Sequence, residues 1–331
     1  MQKSTFKGHV LGLVWTLCLS AILFCQLNHG RYWWQELLGS FTLYWLPFIV
    51  VGLVMTVSKY RRGRLNALGF VTMGALHIAI LAAVLSLARP YLYFSAWPVL
   101  KGQHIFTLTV MVVPLHSNET LPGGLDAVVR DSRPDVVVVL GAYVGSFGES
   151  AELKAFPFSV RQSDQTGRGV WIMSKYPFAD EVHQGAGFGA LPATYERLRL
   201  PEGEIVEIGA LSLSPIQDQD TFEDNKLTSR RIATLVRNSS RHRIVVGSFF
   251  GSPFSKIVSM YVRQGRLRSV MFGRGFQSTW DMQSSLIRLP ADHAFVSRRI
   301  KVEEVELFDL PGARHRGMIF KAQFEPDQGA R

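Results

Sequence analysis

Nine histidines and 26 Asp and Glu residues, Asp292 and His315 among them, are the groups suited to acid–base chemistry in this chain. An imidazole titrates near neutral pH, and a carboxylate beside it can fix its tautomer and orientation. Taken alone, an Asp and a His are a weak catalytic signal, and a structural hydrogen bond fits them at least as well. Arg314 and Arg316 flank the histidine, and guanidinium groups match phosphate or carboxylate oxygens two at a time. Elsewhere the signals are sparse. His104, His116, His183 and His242 show no metal-ligand spacing. The glycine-rich stretch 185–189 (GAGFG) lacks the GxGxxG strand-to-helix context and reads as a flexible loop. The acidic run 218–224 (DQDTFED) lacks calcium-loop spacing and reads as a solvated loop. Cys18 and Cys25 are the only cysteines, which excludes a disulfide framework and a cysteine-rich zinc site.

The elements that must position these residues fall into two parts. The chain has 331 residues, 47% hydrophobic and 19% charged, too apolar for a disordered protein. Of its net charge of +10, residues 1–100 contribute +7 and residues 101–331 only +3. The excess therefore belongs to the apolar N-terminal third, and the basic stretch Arg230, Arg231, Arg237, Arg241 and Arg243 reads as a solvated face rather than a nucleic-acid track. Runs 8–30, 37–58 and 65–88 contain no Asp, Glu, Lys or Arg. Each is long enough to cross a hydrocarbon layer of about 30 Å as a helix. Without a small-x-small cleavage site after the first run, three retained spans are expected.

Lys3 and Lys7 precede the first run, and Lys59, Arg61, Arg62 and Arg64 separate the second from the third. This bias puts the N-terminus and the second loop in the cytoplasm and everything after Arg89 on the far side. In a Gram-negative bacterium that is an inner-membrane protein with a periplasmic domain. Tyr32, Trp33 and Trp34, with Tyr91, Tyr93 and Trp97, are expected at the outer interface as an aromatic belt. Residues 1–88 thus read as anchor, 89–103 as linker, 104–325 as the soluble domain and 326–331 as a tail.

In the soluble part, 106–113, 135–144, 169–175, 205–213, 243–250 and 293–297 read as strands, nearly all apolar and so buried on both faces. Helical spacing occupies 121–133, 224–239 and 252–265, the last with Ser252 as cap and Pro253 in its first turn. An α/β domain with helix-covered sheets is expected.

Several segments in order over residues 104–324 resemble the endonuclease/exonuclease/phosphatase superfamily. They are PDVVVVL from Pro134, GVWIMSKYP from Gly169, LSLSP from Leu211, VVGSFFGSPFS from Val245, GFQSTWDM from Gly275, ADHAFVS from Ala291 and DLPGARHRGMIF from Asp309. The resemblance implies a four-layered, DNase I-like α/β sandwich and metal-dependent phosphoester hydrolysis. It also shows departures. The family asparagine at the end of the first strand is Val112 or Val113, and the metal-binding glutamate is Gly141. The histidine of HL-x-P is Ser212, Gly-Asp-Phe-Asn reads Gly247-Ser248-Phe249-Phe250, and Ser-Asp-His reads Ala313-Arg314-His315. Only His315 and Asp292, which in relatives orients that histidine, are retained.

In-line attack on a phosphodiester needs a positioned water, stabilised equatorial oxygens and usually a hard cation on carboxylates. Gly141, Ser248 and Arg314 supply none, so no metal site and no cofactor are expected. The expected function is that of a membrane-anchored pseudoenzyme lying in the lipid bilayer, which binds a membrane or periplasmic protein partner or an anionic ligand through Arg314 and Arg316. Nucleic acid is not the expected ligand. The rival is a divergent magnesium- or manganese-dependent phosphodiesterase, nuclease or phosphatase that recruits Asp281, Glu196 or Asp164. A third reading is a structural subunit whose anchor matters most.

Overall fold

The structure is a computed structural model and describes residues 30–94, 97–102, 104–115, 124–143, 150–179, 191–239 and 241–326. The first expected span, apart from Gly30, lies outside the described residues, as do His116, His183 and the stretch 185–189. The chain divides into two compact units, Met1–Pro90 with Phe254–Lys256, and Tyr91–Pro253 with Ile257–Arg331.

In the first unit, α1 (Trp33–Ser40) is followed by a 3-10 turn (Thr42–Trp45), α2 (Leu46–Arg61) and α3 (Ala67–Leu92). Two helical stretches, Thr42–Arg61 and Ala67–Leu92, are long and apolar enough to cross a membrane. Val50, Val51, Val54 and Met55 on α2 and Leu68, Val71, Ile78 and Leu85 on α3 are exposed. Apolar side chains thus point outward, the reverse of a helix covering a soluble core. The run 37–58 is not one α-helix. Pro47 sits in the first turn of α2, where its missing N–H costs nothing, and the chain before it tightens into the 3-10 turn. His77 lies 2.6 Å through Nδ1 from the Met73 carbonyl, bonded within its own helix.

Among the described residues the second unit contains eleven strands. A six-stranded sheet has the order β10 (Lys301–Asp309), β11 (Arg316–Phe324), β1 (Phe106–Pro114), β2 (Val136–Tyr143), β4 (Arg168–Ser174), β3 (Phe158–Ser163). A five-stranded sheet has the order β5 (Ala193–Arg199), β6 (Ile205–Ser212), β7 (His242–Ser248), β9 (Asp292–Ser297), β8 (Leu267–Ser269). The period of two in β2 explains the layering. Val136, Val138 and Leu140 enter one core together with Ile208, Ile244 and Val246 of the other sheet, whereas Val137 and Val139 enter a second core with Leu125 and Val129. That second core is covered by α4 (Leu125–Ser132) and α5 (Ala151–Lys154). On the outer side of the five-stranded sheet, α6 (Gln219–Asn238) and α7 (Lys256–Arg263) bury Phe222, Ile232, Met260 and Tyr261. Each fully buried Val or Leu contributes about 1.5–3 kcal/mol.

Three expectations are corrected here. The acidic run 218–224 is not a loop but opens α6, with Asp218 as its cap accepting the Thr221 N–H at 2.8 Å. Capping and the helix dipole both favour carboxylates at that end. Pro253 and Phe254 form a turn before α7, which starts three residues later than the cap signal implied. Tyr91 is not a belt residue. Tyr91 is buried in the sandwich core, T-shaped on Phe272 and stacked on Phe276, and Trp97 packs against the same core beside Phe94. Tyr93 is exposed.

Candidate functional site

The site is built where β6 and β7 end and β9 begins. In the sheet register Ser212 is opposite Ser248, and Ser248 is opposite Asp292. From the other sheet, Gly141 enters at a bulge of β2 against β4. A Cβ built on Gly141 would stand 3.5 Å from Ser212 Oγ. His315, at the entry to β11, donates Nδ1–H to Asp292 Oδ2 at 2.8 Å. The residues singled out by motif, Gly141, Ser212, Ser248, Asp292 and His315, therefore gather at one end of the sandwich. Phe250, in a left-handed backbone conformation with φ 49°, sets its ring edge-on to the imidazole at 5.9 Å. Val112 and Val113 stay inside the two cores.

Both members of the dyad are enclosed. The His315 side chain is 0% exposed and that of Asp292 is 3%. A general base must come within hydrogen-bond reach of the proton it takes, and an imidazole under Phe250 is poorly placed for that. Among the described residues, Asp292 Oδ1 and Ser248 Oγ are buried without a hydrogen-bond partner.

Arg314 and Arg316 are each directed at a carboxylate of the chain itself. Arg314 grips Asp281 with two nitrogens, Nε to Oδ1 at 3.2 Å and Nη2 to Oδ2. This guanidinium holds the Asp281 carboxyl below its ordinary range, and the charge of His315 acts in the same direction. Arg316 Nε reaches Asp309 Oδ1 at 2.8 Å across the β10–β11 pair. Of the acids considered as recruits, Asp281 alone adjoins the dyad through these contacts. Glu196 accepts the Thr194 hydroxyl on β5, and Asp164 caps a turn by accepting the N–H groups of Thr166 at 2.8 Å and Arg168 at 3.1 Å.

Two positioning residues had no role assigned from sequence, although Thr279 lies within GFQSTWDM. Thr279 Oγ1 accepts the N–H groups of Ala291 at 3.0 Å and Asp292 at 2.9 Å, and its carbonyl accepts the Arg316 N–H at 2.9 Å. One threonine thus fixes the start of β9 and the residue after His315. Thr279→Val leaves two buried amides without an acceptor and is expected to cost about 1–3 kcal/mol for each. Thermal unfolding of the full chain in detergent measures it, and a loss below about 0.5 kcal/mol would remove Thr279 from this role. Arg168, buried at the start of β4, donates to the Leu213 carbonyl at 3.1 Å and to Ser214 Oγ at 3.2 Å, holding the chain just beyond Ser212. An arginine opening a strand normally faces water, so the sequence gives no sign of either contact.

Phosphoester hydrolases of this architecture rely on a divalent cation, and the residues present do not fit one. The backbone at Gly141 has φ +79°, and a Cβ there would meet the Leu115 carbonyl oxygen at 2.5 Å. Ser212 and Ser248 offer hydroxyls, and both oxygens of Asp281 are taken by Arg314. That leaves the Asp292 carboxylate, already bonded to His315, where magnesium needs several hard oxygens. Among the described residues no group of three or more His, Cys, Asp or Glu could hold a metal ion.

No protein-family model and no curated protein sequence matches the chain. Solved structures do. The chain is similar to an endonuclease/exonuclease/phosphatase from Bacteroides vulgatus with a TM-score of 0.54 and 12% identity, over 66% of this chain and 100% of that one. It is similar to D. rerio TDP2 complexed with single strand DNA product, with a TM-score of 0.53 and 13% identity, over 66% and 99% of the two chains. It is also similar to endonuclease/exonuclease/phosphatase from Beutenbergia cavernae, with a TM-score of 0.51 and 17% identity, over 66% and 72%. Two facing sheets, helices on both outer sides and these likenesses together give the domain the endonuclease/exonuclease/phosphatase fold, a DNase I-like α/β sandwich.

Proposed function

We propose that the chain is a membrane-anchored protein whose endonuclease/exonuclease/phosphatase-fold domain has exchanged phosphoester hydrolysis for binding of a protein partner on the non-cytoplasmic side. The observation that carries this reading is the backbone at Gly141, which leaves no room for the side chain that would hold a cation. The pairing of Arg314 with Asp281 and of Arg316 with Asp309 favours a protein over a small anion, because both cations already face a carboxylate. The loop held by Asp281 also presents Leu286, 83% exposed, and Ile287, 45% exposed, an apolar pair of the kind that partners cover. The two apolar helices support the anchor.

One observation favours a hydrolase: the Asp292–His315 pair is intact and Asp281 adjoins it. The full chain in detergent, given magnesium or manganese and a generic phosphodiester, separates the readings. No turnover that depends on His315 is expected. Chelator-sensitive turnover abolished by His315→Ala would establish the hydrolase instead.

A further inference from the structure

The cations of the second unit are unevenly distributed along its strands. From Lys256 to Val302 the sequence contains two acids, Asp281 and Asp292, both at the site. Five of the seven arginines of that stretch, all but Arg274 and Arg288, collect at the opposite end of the five-stranded sheet. Arg263 closes α7, Arg266 and Arg268 open β8, and Arg298 and Arg299 form the turn after β9. The register aligns them, since Leu267 pairs with Ser297 and so places Arg266 beside Arg298. Arg268 Nη1 reaches the Arg298 carbonyl at 3.4 Å, and burial together with the charge of Arg298 lowers the Arg268 pKa. Arg263, Arg266, Arg298 and Arg299 are exposed. Arg243, at the start of the neighbouring β7, feels the charge of Arg299.

The second unit also begins at this end. Tyr91, in the last turn of the apolar helix α3, is buried against Phe272 and Phe276, and its backbone carbonyl accepts the Gly275 N–H at 2.9 Å. Phe94 packs on Phe272, and the Arg268 guanidinium lies 5.5 Å from the centre of its ring. The segment that follows the membrane-length apolar run in sequence is therefore fixed to the same strand and turn that carry the arginines. In the membrane-anchored reading, a surface of the unit that begins at Tyr91, directly after the apolar run in sequence, is tethered within a few residues of the headgroups.

We propose that the surface formed by Arg263, Arg266, Arg268, Arg298 and Arg299 binds anionic phospholipid headgroups and holds the sandwich in one orientation on the bilayer, with the Asp292–His315 end directed away from it. This rests on the membrane-anchored reading above. Guanidinium groups suit phosphate oxygens, and each basic residue at an anionic surface shifts the docked population by about fivefold at low salt, an effect lost beyond the Debye length.

The test uses the full chain in bilayer discs of phosphatidylcholine alone or with about a third phosphatidylglycerol, read by amide hydrogen exchange. In anionic discs, amides of 263–268 and 297–301 are expected to exchange roughly tenfold or more slowly than in neutral discs, while those around Asp292 and His315 are unchanged. The protection should vanish in Arg266→Glu/Arg298→Glu and, for the unaltered chain, in about 0.5 M salt, so a misfolded variant leaves the salt arm decisive. Equal exchange in both discs, with the chain retained after alkaline extraction, would overturn lipid binding and leave the anchor standing. Release by alkaline extraction would overturn both. Protection in neutral discs on adding a single-stranded oligonucleotide, without a response to anionic lipid, would assign the surface to nucleic acid and overturn the lipid reading.

Discussion

His315→Ala is expected to destabilise the full chain by about 3–5 kcal/mol and to leave phosphodiester turnover at background. The size follows from what remains behind. Asp292 is buried, and its Oδ1 already has no hydrogen-bond partner, so deleting the imidazole takes away the Oδ2 contact as well. Removing one member of a buried charged or hydrogen-bonded pair costs about 3–5 kcal/mol, because the survivor keeps its desolvation penalty without compensation. For a domain of this size the melting temperature falls by roughly 6–20 °C. Asp292→Ala in the same background should recover part of the loss, since the stranded carboxylate is then gone. A dyad kept for catalysis behaves in the opposite way, with activity lost and stability nearly unchanged. Thermal unfolding in detergent, run beside the phosphodiester assay, separates the two. A loss below about 1 kcal/mol accompanied by loss of turnover would return His315 and Asp292 to catalysis.

The strands legible in the sequence are the central ones. β1, β2, β4, β6, β7 and β9 lie inside their sheets and are buried on both faces, so they read as apolar runs. The strands that escaped reading are mostly the four edges, β10, β3, β5 and β8. An edge strand keeps solvent on one side and carries charges, as in KVEEVELFD of β10, whose burial alternates with exposure. β11, next to an edge, carries Arg316 and Lys321 among its apolar residues and was legible only as part of a motif.

The site divides in the same manner. Its positions along the chain could be found by motif, and the structure gathers them. Their partners could not. Asp281 and Arg314 are 33 residues apart and meet only because the loop from Thr279 to Ala291 is stitched to both β9 and the entry to β11. Nor does sequence tell an aromatic residue at a membrane surface from one at the rim of a soluble core. Both are large, apolar and polar-tipped, and only the presence of Phe272 and Phe276 decides for Tyr91.

Restoring a glutamate at the position of the family's metal ligand is expected to damage the fold rather than return activity. Gly141→Glu places a residue with a Cβ at φ +79°, where strain costs about 1–3 kcal/mol. Its Cβ would also meet the Leu115 carbonyl oxygen at 2.5 Å, a backbone atom fixed by the Leu115 N–H bond to Leu140 at 2.8 Å. Overpacking a well-filled interior adds about 1–3 kcal/mol, so a total of roughly 2–6 kcal/mol is expected. Gly141→Glu combined with Ser248→Asp would supply two of the missing carboxylates on paper. It should nevertheless show no chelator-sensitive turnover, because the bulge of β2 that carries residue 141 has adapted to a glycine and Asp281 stays with Arg314. Unfolding in detergent and the same phosphodiester assay measure both consequences. A stable double variant that hydrolyses the substrate with magnesium would mean that this backbone relaxes to its side chain, and that only the carboxylates, not the seat for a cation, had been lost.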